Sequence, residues 1–203
     1  MEKKIIIVGA GLVGSLWAVY MRKAGYKVVI YERRSDIRKA EISAGKSINL
    51  ALSERGWNSL KTAGIKEDIE KIAIPMSGRV MHSEEGKLTY QAYGKKDEAI
   101  YSVSRGHLNA IMMDLAEKKG NSEIHYLHQC IDADLKNGKI TLKNLKTNEI
   151  FEDQADVVFA ADGAYSAIRY NSMQKVDRFN FSQFYVEDGY KELLLPAGPI
   201  GEY

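Results

Sequence analysis

Several residue types are scarce in this sequence, and each scarcity excludes a class of protein. The one cysteine, Cys130, excludes an internal disulfide and is compatible with a reducing compartment. The 29 basic and 27 acidic residues give a net charge of +2 without a basic block, so electrostatics give no reason to expect nucleic-acid or membrane-surface binding. Long apolar runs are missing too, because the mostly uncharged residues 5–21 contain three glycines and run into Arg22 and Lys23. A membrane span or signal peptide is therefore the weaker interpretation of that stretch.

Histidine is also rare, although two of the four histidines, His125 and His128, stand at H-x-x-H spacing. On the strand predicted there, their side chains would point to opposite faces, and no further His or Cys cluster supports them. We therefore predict no metal site. The remaining composition, 45% hydrophobic and 28% charged over 203 residues, is that of a soluble globular protein, and the length allows one good core or one domain with part of another.

The first 32 residues, in contrast, carry a clear β-α-β pattern. Two apolar β-branched runs predict buried parallel strands on either side of a helix, at residues 5–8, 12–23 and 27–31. Gly9, Gly11 and Gly14 form G-x-G-x-x-G between the first strand and the helix, and Glu32 ends the second strand. This combination predicts a dinucleotide site.

Each of these residue types has a role in such a site. Gly9 allows a tight turn, Gly11 lets a pyrophosphate approach the backbone, and Gly14 lets helix and strand pack closely. The helix presents free N–H groups and its positive dipole end to the phosphates. Glu32 can accept hydrogen bonds from ribose hydroxyls and would repel a 2′-phosphate, which argues against NADP at this position. The glycine pattern also occurs by chance, so the second strand and Glu32 carry much of the prediction.

Farther along the chain the periodicity alternates between helix and strand. Helices are predicted at residues 53–63, 65–72 and from 104 to about 119, and strands at 78–82, 87–92, 100–103, 123–127, 130–135, 139–144, 149–151 and 156–161, with one or two more from 179. The strands between about residues 74 and 103 read as an antiparallel insertion within an α/β domain. Residues 33–47 read as a long loop, and loops of that length are often functional.

A second motif follows the strand at residues 156–161. Asp162 and Gly163 form a turn, Ser166 is placed to cap a short helix, and that helix contains Arg169. A carboxylate at the carboxyl end of a strand, beside a helix start, can bind a ribose or ribityl hydroxyl. Asp-Gly alone is one of the commonest turns, so the interpretation depends on the glycine motif about 150 residues earlier.

The two motifs together resemble those of the flavoprotein monooxygenases, the single-component aromatic hydroxylases with the p-hydroxybenzoate hydroxylase type of fold. The D-G-x-x-S-x-x-R motif of that family matches Asp162 to Arg169, and Arg105 matches its flavin-contacting arginine. The resemblance implies a Rossmann-like FAD-binding domain over residues 1–178, with the antiparallel insertion, and the start of an incomplete substrate-domain sheet over 179–203.

Within that family, several segments are similar to the members that hydroxylate L-kynurenine. They are GLVGSLWAVY, GKSINLALSERG at 45–56, IPM at 74–76, SVSR at 102–105, ADGAYSAIR at 161–169 and FNFSQFYVEDGYKEL. The resemblance implies hydroxylation of L-kynurenine to 3-hydroxykynurenine with molecular oxygen and NADPH as co-substrates, a step of tryptophan catabolism toward NAD. The family runs to about twice this length, and its second FAD motif, G-D-A-x-H, is missing here. We therefore expect an N-terminal portion that is inactive alone.

The resemblance also implies contacts for FAD as a bound cofactor. They are the pyrophosphate contacts Gly9, Gly11, Val13 and Gly14, the ribose contact Glu32, the neighbouring Tyr31, Arg33 and Arg34, and the further contacts Ala51, Arg105, Cys130, Asp162 and Gly163. From the residues alone, Arg33 and Arg34 flank the adenine or are simply solvated. Cys130 is expected to contribute its backbone. No catalytic acid, base or nucleophile is predicted, because the protein's task is to position cofactor and substrate.

For the substrate, the resemblance implies that Arg79 and Tyr93 bind the kynurenine carboxylate. A guanidinium matches a carboxylate in a planar, bidentate way, and a tyrosine hydroxyl adds a further donor. From the residues alone, a surface charge at Arg79 and a hairpin aromatic at Tyr93 are the better explanations, and the resemblance reverses that preference.

Two other functions stay open at this point. The chain could belong to a hydroxylase or oxidase of another aromatic acid, or it could be a nucleotide-binding module without enzymatic activity. The sequence predicts neither a nucleic-acid partner nor a membrane segment in this chain, and we expect a bacterial cytoplasmic location.

Overall fold

The computed structural model describes residues 3–39, 49–96, 98–118 and 120–189. The chain divides into two compact units, the first formed by Met1–Gly45 with Met112–Tyr203 and the second by Lys46–Ile111. The strands are β1 Lys4–Val8, β2 Lys27–Glu32, β3 Asn49–Leu52, β4 Ile74–Met76, β5 Gly78–His82, β6 Leu88–Ala92, β7 Ile100–Ser104, β8 Ser122–Tyr126, β9 His128–Asp134, β10 Lys139–Asn144, β11 Ile150–Gln154 and β12 Val157–Ala160. The helices are α1 Leu12–Lys23, α2 Glu54–Ala63, α3 Lys66–Glu70 and α4 Arg105–Glu117, with short helical turns at Ile37–Lys39, Ile168–Ser172 and Met173–Lys175.

The first unit is built on a parallel sheet with the strand order β12-β1-β2-β8. Its two central strands consist largely of isoleucine and valine, and Ile6, Ile7 and Ile30 have no exposed surface. This is the pattern of a sheet covered on both faces. On one face, α1 packs with its Trp17 ring edge-on against Phe159 of β12, at 5.2 Å between ring centroids.

An antiparallel sheet of β9, β10 and β11 belongs to the same unit. Its buried side chains join those of the parallel sheet in one cluster: Ile6, Val8, Val29, Tyr31, Cys130, Ile140, Leu142 and Ile168. Burying one such aliphatic side chain contributes about 1.5–3 kcal/mol. The cluster therefore fixes the ends of β1 and β2, where the predicted site lies.

The second unit contains two antiparallel sheets, β3-β7-β4 and the hairpin β5-β6. Helix α2 packs through Trp57, whose ring meets Tyr101 of β7 edge-on at 5.2 Å, and Gly64 ends the helix in the left-handed conformation. The hairpin differs from the rest of the unit because all of β6 and most of β5 are exposed.

The predicted α/β class with an antiparallel insertion is confirmed. One prediction about local structure is wrong, and others are untested. Residues 179–189 form no strand, contrary to the prediction, and the rest of that predicted sheet, from 190 onward, lies outside the described residues. Residues 40–48, which include part of the predicted loop and of the GKSINLALSERG match, also lie outside them. The domain boundaries at 178 and 179 stay predictions.

The interpretation of His125 and His128 as residues of one strand is also wrong. Leu127, with φ of 59°, turns the chain between β8 and β9. As a result the two imidazole rings lie close together, 5.9 Å between centroids, and the His125 ring stacks on Tyr31 at 5.2 Å. Across the described residues, no three His, Cys, Asp or Glu side chains are grouped as a metal site would require.

Helix lengths also bear on membrane insertion. Within the part of the chain that the structure describes, no helix combines the length and apolar character needed to cross a bilayer.

Candidate functional site

The carboxyl ends of β1, β2 and β12 meet at Gly9. Its amide donates to the Tyr31 carbonyl at 2.8 Å, and the Ala161 amide donates to the Val8 carbonyl at 2.8 Å. Gly9 has a φ of +99°, and a Cβ there would lie 2.6 Å from the Ala161 carbonyl oxygen. Only glycine therefore fits between the two neighbouring strands. The close approach brings the ends of β2 and β12, and with them Glu32 and Asp162, to the same edge of the sheet.

The other two glycines of the motif have opposite environments. A Cβ on Gly14 would lie 1.9 Å from the Gly9 carbonyl oxygen, so this glycine is required for α1 to pack on β1. A Cβ on Gly11 would meet nothing within 4 Å, so the space beside Gly11 is open. Open space beside a backbone glycine is what close approach of a pyrophosphate requires.

The start of α1 adjoins that open space. The helix has no side-chain cap and no acidic residue in its first turn. Val13 in the same turn is 72% exposed. Free N–H groups and the positive dipole end favour an anion at this position.

Glu32 is a buried carboxylate, 5% exposed, at the end of β2. Its Oε2 accepts from the Ala10 amide at 2.8 Å, and its Oε1 accepts from both the backbone N–H and the Nε of Arg34 at 2.9 Å. Burial opposes the charge, but the bonds from Arg34 and Ala10 outweigh it and hold the pKa of Glu32 below its usual value. A carboxylate offers about four acceptor positions, so an ionised Glu32 can also accept from a ribose.

Of the two arginines after β2, Arg34 is paired with Glu32 and Arg33 is exposed. The structure thus gives Arg34 a defined role in fixing the Glu32 carboxylate. A contact of either side chain with the adenosine stays a prediction.

Arg38 holds the segment after β2 in place, a role that the sequence did not reveal. Its Nε and Nη2 form a fork on Asp36 at 2.8 Å, and its Nη1 donates to Asp114 and Glu117 at 2.7 Å. Nη2 also donates to the Tyr126 hydroxyl at 2.8 Å, which ties the segment to the end of β8. The fork from Arg38 is the main cause of a lowered pKa at Asp36. The partners of Arg38 come from separate segments of the chain, so no local sequence pattern identifies this cluster.

Tyr31 faces the interior rather than the open edge. Its hydroxyl donates to Asp153 at 2.7 Å, and Asp153 also pairs with Lys4. Burial and the Asp153 carboxylate raise the pKa of Tyr31 above its ordinary value. The Tyr31 side chain is therefore held inside the unit, and a contact of the Tyr31 backbone with a cofactor stays a prediction.

Cys130 is buried in the cluster between the two sheets, with its Sγ 3.5 Å from the Asp132 carbonyl oxygen. Burial, with a smaller effect of Asp162, raises the pKa of the thiol to about 12. The thiol is thus protonated at neutral pH and is unsuited to act as a nucleophile.

Asp162 has one satisfied and one unsatisfied carboxylate oxygen. Oδ2 accepts from the Ala167 amide at 2.7 Å, whereas Oδ1 is buried and has no hydrogen-bond partner among the described residues. Gly163 follows with a φ of +83°, and the Ser166 hydroxyl accepts from the Arg169 amide at 3.1 Å, as predicted for a cap. A buried acceptor without a donor is costly, so Oδ1 is placed to accept a hydrogen bond from a hydroxyl or an amide.

The other predicted residues belong to the second unit. Ala51 of β3 pairs with Ser102 of β7 and is exposed, and Arg105 is the exposed first residue of α4. Both are thus placed around the same strand pair. Their contacts with a cofactor stay predictions.

Arg79 lies on β5 of the β5-β6 hairpin, and Tyr93 directly follows β6. Arg79 pairs with Gln91, and its Nε donates to the Gln91 side chain at 2.8 Å. The Tyr93 amide donates to the Ser77 carbonyl at 2.9 Å, which continues the ladder by one pair. Gln91 thus lies opposite Arg79 and two residues before Tyr93, which places Arg79 and Tyr93 near one another at the open end of the hairpin.

Comparison with known proteins adds two findings. The family model described as an FAD binding domain matches residues 2–186. The chain is 44% identical over 202 residues to kynurenine 3-monooxygenase of Christiangramia forsetii, which covers 100% of this chain and 44% of that protein. It is 46% identical to the enzyme of Flavobacterium johnsoniae (96% of this chain, 43% of that protein) and 42% identical to that of Sus scrofa (95% and 40%). The chain thus spans less than half the length of these relatives.

Solved structures show the same fold. Para-nitrophenol 4-monooxygenase PnpA from Pseudomonas putida DLL-E4 superposes with a TM-score of 0.69 at 22% identity, over 84% of this chain and 43% of that one. The flavin-dependent monooxygenase PieE gives a TM-score of 0.68 at 16% identity, over 82% and 31%. At such low identity the likeness is one of architecture.

Proposed function

Because this chain belongs to the FAD binding domain family, we propose that it binds FAD across the edge formed by Gly9, Glu32 and Asp162. The pyrophosphate would lie in the open space beside Gly11, at the uncapped start of α1. The adenosine ribose would donate to Glu32, and the ribityl chain would donate to Asp162. The observation that supports this most strongly is the buried Oδ1 of Asp162, which has no donor among the described residues.

For the longer polypeptide of which relatives are known, we propose hydroxylation of L-kynurenine to 3-hydroxykynurenine. The support is the 44–46% identity to bacterial enzymes of that name. The bound flavin would supply the activation of molecular oxygen, with NADPH as the reductant. The described residues contribute binding and orientation, and none of them is assigned as an acid, base or nucleophile.

Arg79 and Tyr93 are the residues we propose for the substrate's carboxylate. Their closeness along the hairpin supports the pairing, because Arg79 pairs with Gln91, two residues before Tyr93, and a single carboxylate can accept from both a guanidinium and a phenol. Among the described residues, the hydrogen-bond partner of the Arg79 side chain is the neutral Gln91, so the Arg79 charge is available to an anion.

The partners that follow from this proposal are small molecules, namely FAD, NADPH, oxygen and L-kynurenine. No nucleic-acid partner is proposed. A bacterial cytoplasmic location accords with the single cysteine and with the bacterial relatives.

The cofactor assignment is tested by titrating the 203-residue chain with FAD and ADP in a calorimeter. We expect both to bind, and we expect Asp162→Asn to weaken FAD about tenfold while ADP changes little. Gly11→Ala should weaken both, because its methyl group enters the pyrophosphate space. Absence of binding to the wild-type chain, or equal loss of FAD and ADP in Asp162→Asn, would contradict the proposed arrangement.

The substrate assignment needs the longer polypeptide, loaded with FAD. Kynurenine-dependent NADPH oxidation with equimolar 3-hydroxykynurenine is the expected result. Arg79→Met should raise the KM for kynurenine by at least tenfold and leave the FAD content unchanged. If NADPH oxidation does not depend on kynurenine, the substrate proposal is wrong, whereas the cofactor proposal is unaffected.

A further inference from the structure

We propose that residues 181–185 form a strap that holds Arg169 and, through Arg169, positions the Asp162 turn for its ligand. This inference rests on the proposed function, since it assumes that Asp162 binds the sugar chain of FAD. Arg169, Phe181 and the strap are positioning groups, because none of them is required to touch the cofactor.

Arg169 is the group that holds the turn. Its Nη1 donates to the Gly163 carbonyl at 3.4 Å, and its Nη2 donates to the Ala164 carbonyl. These are the carbonyls of the two residues that directly follow Asp162. The guanidinium therefore fixes the backbone at the point where the chain leaves Asp162.

Two aromatic rings hold Arg169 in turn. The Cζ of Arg169 lies 5.1 Å from the ring centroid of Tyr170 and 4.9 Å from that of Phe181. The two rings themselves meet edge-on at 5.8 Å. Two cation–π contacts restrict where the guanidinium lies, and from that position Arg169 reaches the two carbonyls.

A polar contact at the middle of the strap also attaches it to Tyr170. The Tyr170 hydroxyl donates to the Gln183 side chain, whose Nε2 donates to the Tyr185 hydroxyl at 3.1 Å. Phe181 and Gln183 of the strap thus contact Arg169 and Tyr170, in the helical turn that follows Asp162.

The position of the turn matters because of the unpaired oxygen on Asp162. The Ala167 amide holds Oδ2 in place. The orientation of the carboxylate then decides whether the buried Oδ1 faces the donor group of a ligand. If the backbone after Asp162 shifts, the bond to Ala167 loosens and Oδ1 turns away. We therefore expect the strap to affect ligands that reach Asp162 and to spare those that do not.

Amide exchange tests the positioning without any ligand. Phe181→Ala should speed exchange of the Ala167 amide at least tenfold, while the amides of β1 keep their wild-type rates as a measure of global stability. The matched control is Phe184→Ala, since Phe184 is a phenylalanine three residues away with 88% of its surface exposed. Phe181→Tyr, which keeps the ring, should behave like the wild type.

Ligand affinity tests the link to function. We expect Phe181→Ala to weaken FAD five- to tenfold and ADP less than twofold, and we expect Arg169→Met to act in the same direction. Equal losses for FAD and ADP, or identical behaviour of the Phe181 and Phe184 variants, would overturn the proposal. If the wild-type chain binds neither ligand, the proposed function fails, and the exchange of Ala167 still decides whether the strap positions the turn. If Arg169→Met unfolds the chain, as fast exchange in β1 would reveal, Phe181→Ala decides alone.

Discussion

The cofactor residues and the substrate residues of the proposed site stand on very different supports. The glycine loop and Glu32 end two strands whose side chains are almost wholly buried, in the middle of a four-stranded sheet. Arg79 and Tyr93 stand on a two-stranded hairpin, where Val80 is 55% and Tyr90 is 59% exposed. The cofactor residues thus lie on a buried sheet, whereas the substrate residues lie on a hairpin that is exposed to solvent on both faces.

This difference indicates how each half reaches its working geometry. Buried strands hold the backbone of Gly9 and Glu32 to within small displacements, so the proposed cofactor contacts are organised before any ligand arrives. A two-stranded ribbon has little stability of its own and depends on other elements for rigidity. The hairpin therefore brings Arg79 and Tyr93 near each other. The exact positions of their side chains depend on other elements that pack against the hairpin.

The largest expected effect is that of Gly14→Ala. Its Cβ would lie 1.9 Å from the Gly9 carbonyl oxygen, and neither backbone can move without parting α1 from β1. We expect a loss of about 4 kcal/mol in the free energy of unfolding, measured by urea denaturation. Gly11→Ala is the control, because it adds the same methyl group in open space and should cost less than about 1 kcal/mol. Equal losses would mean that the close packing at Gly14 is not what holds the unit together.

A matched truncation in each region compares the supports directly. Ile6→Ala removes a side chain with no exposed surface from the cluster between the sheets, and should cost about 3 kcal/mol. Val80→Ala removes an exposed side chain from the hairpin and should cost less than about 0.5 kcal/mol. Chemical denaturation of both variants provides the values. A large effect of Val80→Ala would show that the hairpin is packed in solution and that the two supports do not differ in burial.

Glu32→Gln tests the buried charge at the end of β2. Loss of the charged acceptor for Arg34 and Ala10 should cost about 2 kcal/mol at pH 7. The pKa of Glu32 is lowered in the folded protein, so its contribution is fully present above the ordinary value of 4.5 and is lost as the pH falls through the lowered value. Unfolding curves between pH 7 and pH 3 should therefore converge for the wild type and the variant in acid. Curves that stay parallel would show that Glu32 is not the group concerned.

The smallest expected effect on stability is that of Arg79→Met. The side chain is exposed and donates to one neutral partner, so its loss should change the free energy of unfolding by less than about 0.5 kcal/mol. Thermal denaturation of the 203-residue chain provides the measurement, with Gln91→Met as the matched control. A stability loss of 2 kcal/mol would reveal a structural role for Arg79 and weaken its assignment to the substrate.

The sequence revealed those parts of the site that depend on local backbone chemistry. Glycines at Gly9 and Gly14 are visible because their spacing is set by one strand-turn-helix connection, and the Asp162 turn is visible for the same reason. The apolar runs likewise predicted the parallel strands, because burial on both faces leaves a continuous apolar stretch. These features lie within a few residues of one another along the chain.

Features that depend on distant contacts were missed. Arg38 gathers Asp36, Asp114 and Glu117 from two separate segments, and no local pattern reports such a meeting. The proximity of His125 and His128 arises from one left-handed residue, Leu127, and a leucine gives no indication of that conformation. Residues 179–189 have strand-like composition, but the structure describes no strand there, and Phe181 packs on Arg169 and Tyr170 instead.

The outer edge of β12 has a consequence for handling the protein. Within the described part of the chain, β12 pairs with β1 alone, so its other edge offers unpaired N–H and C=O groups. Beside it lies a cleft of about 760 Å³, lined by apolar side chains such as Val157 and Phe159. Two copies can join along such an edge, and a net charge of +2 provides little repulsion to keep them apart. We therefore expect this short strand to limit solubility at high concentration, and Val157→Lys should raise the concentration at which the protein precipitates.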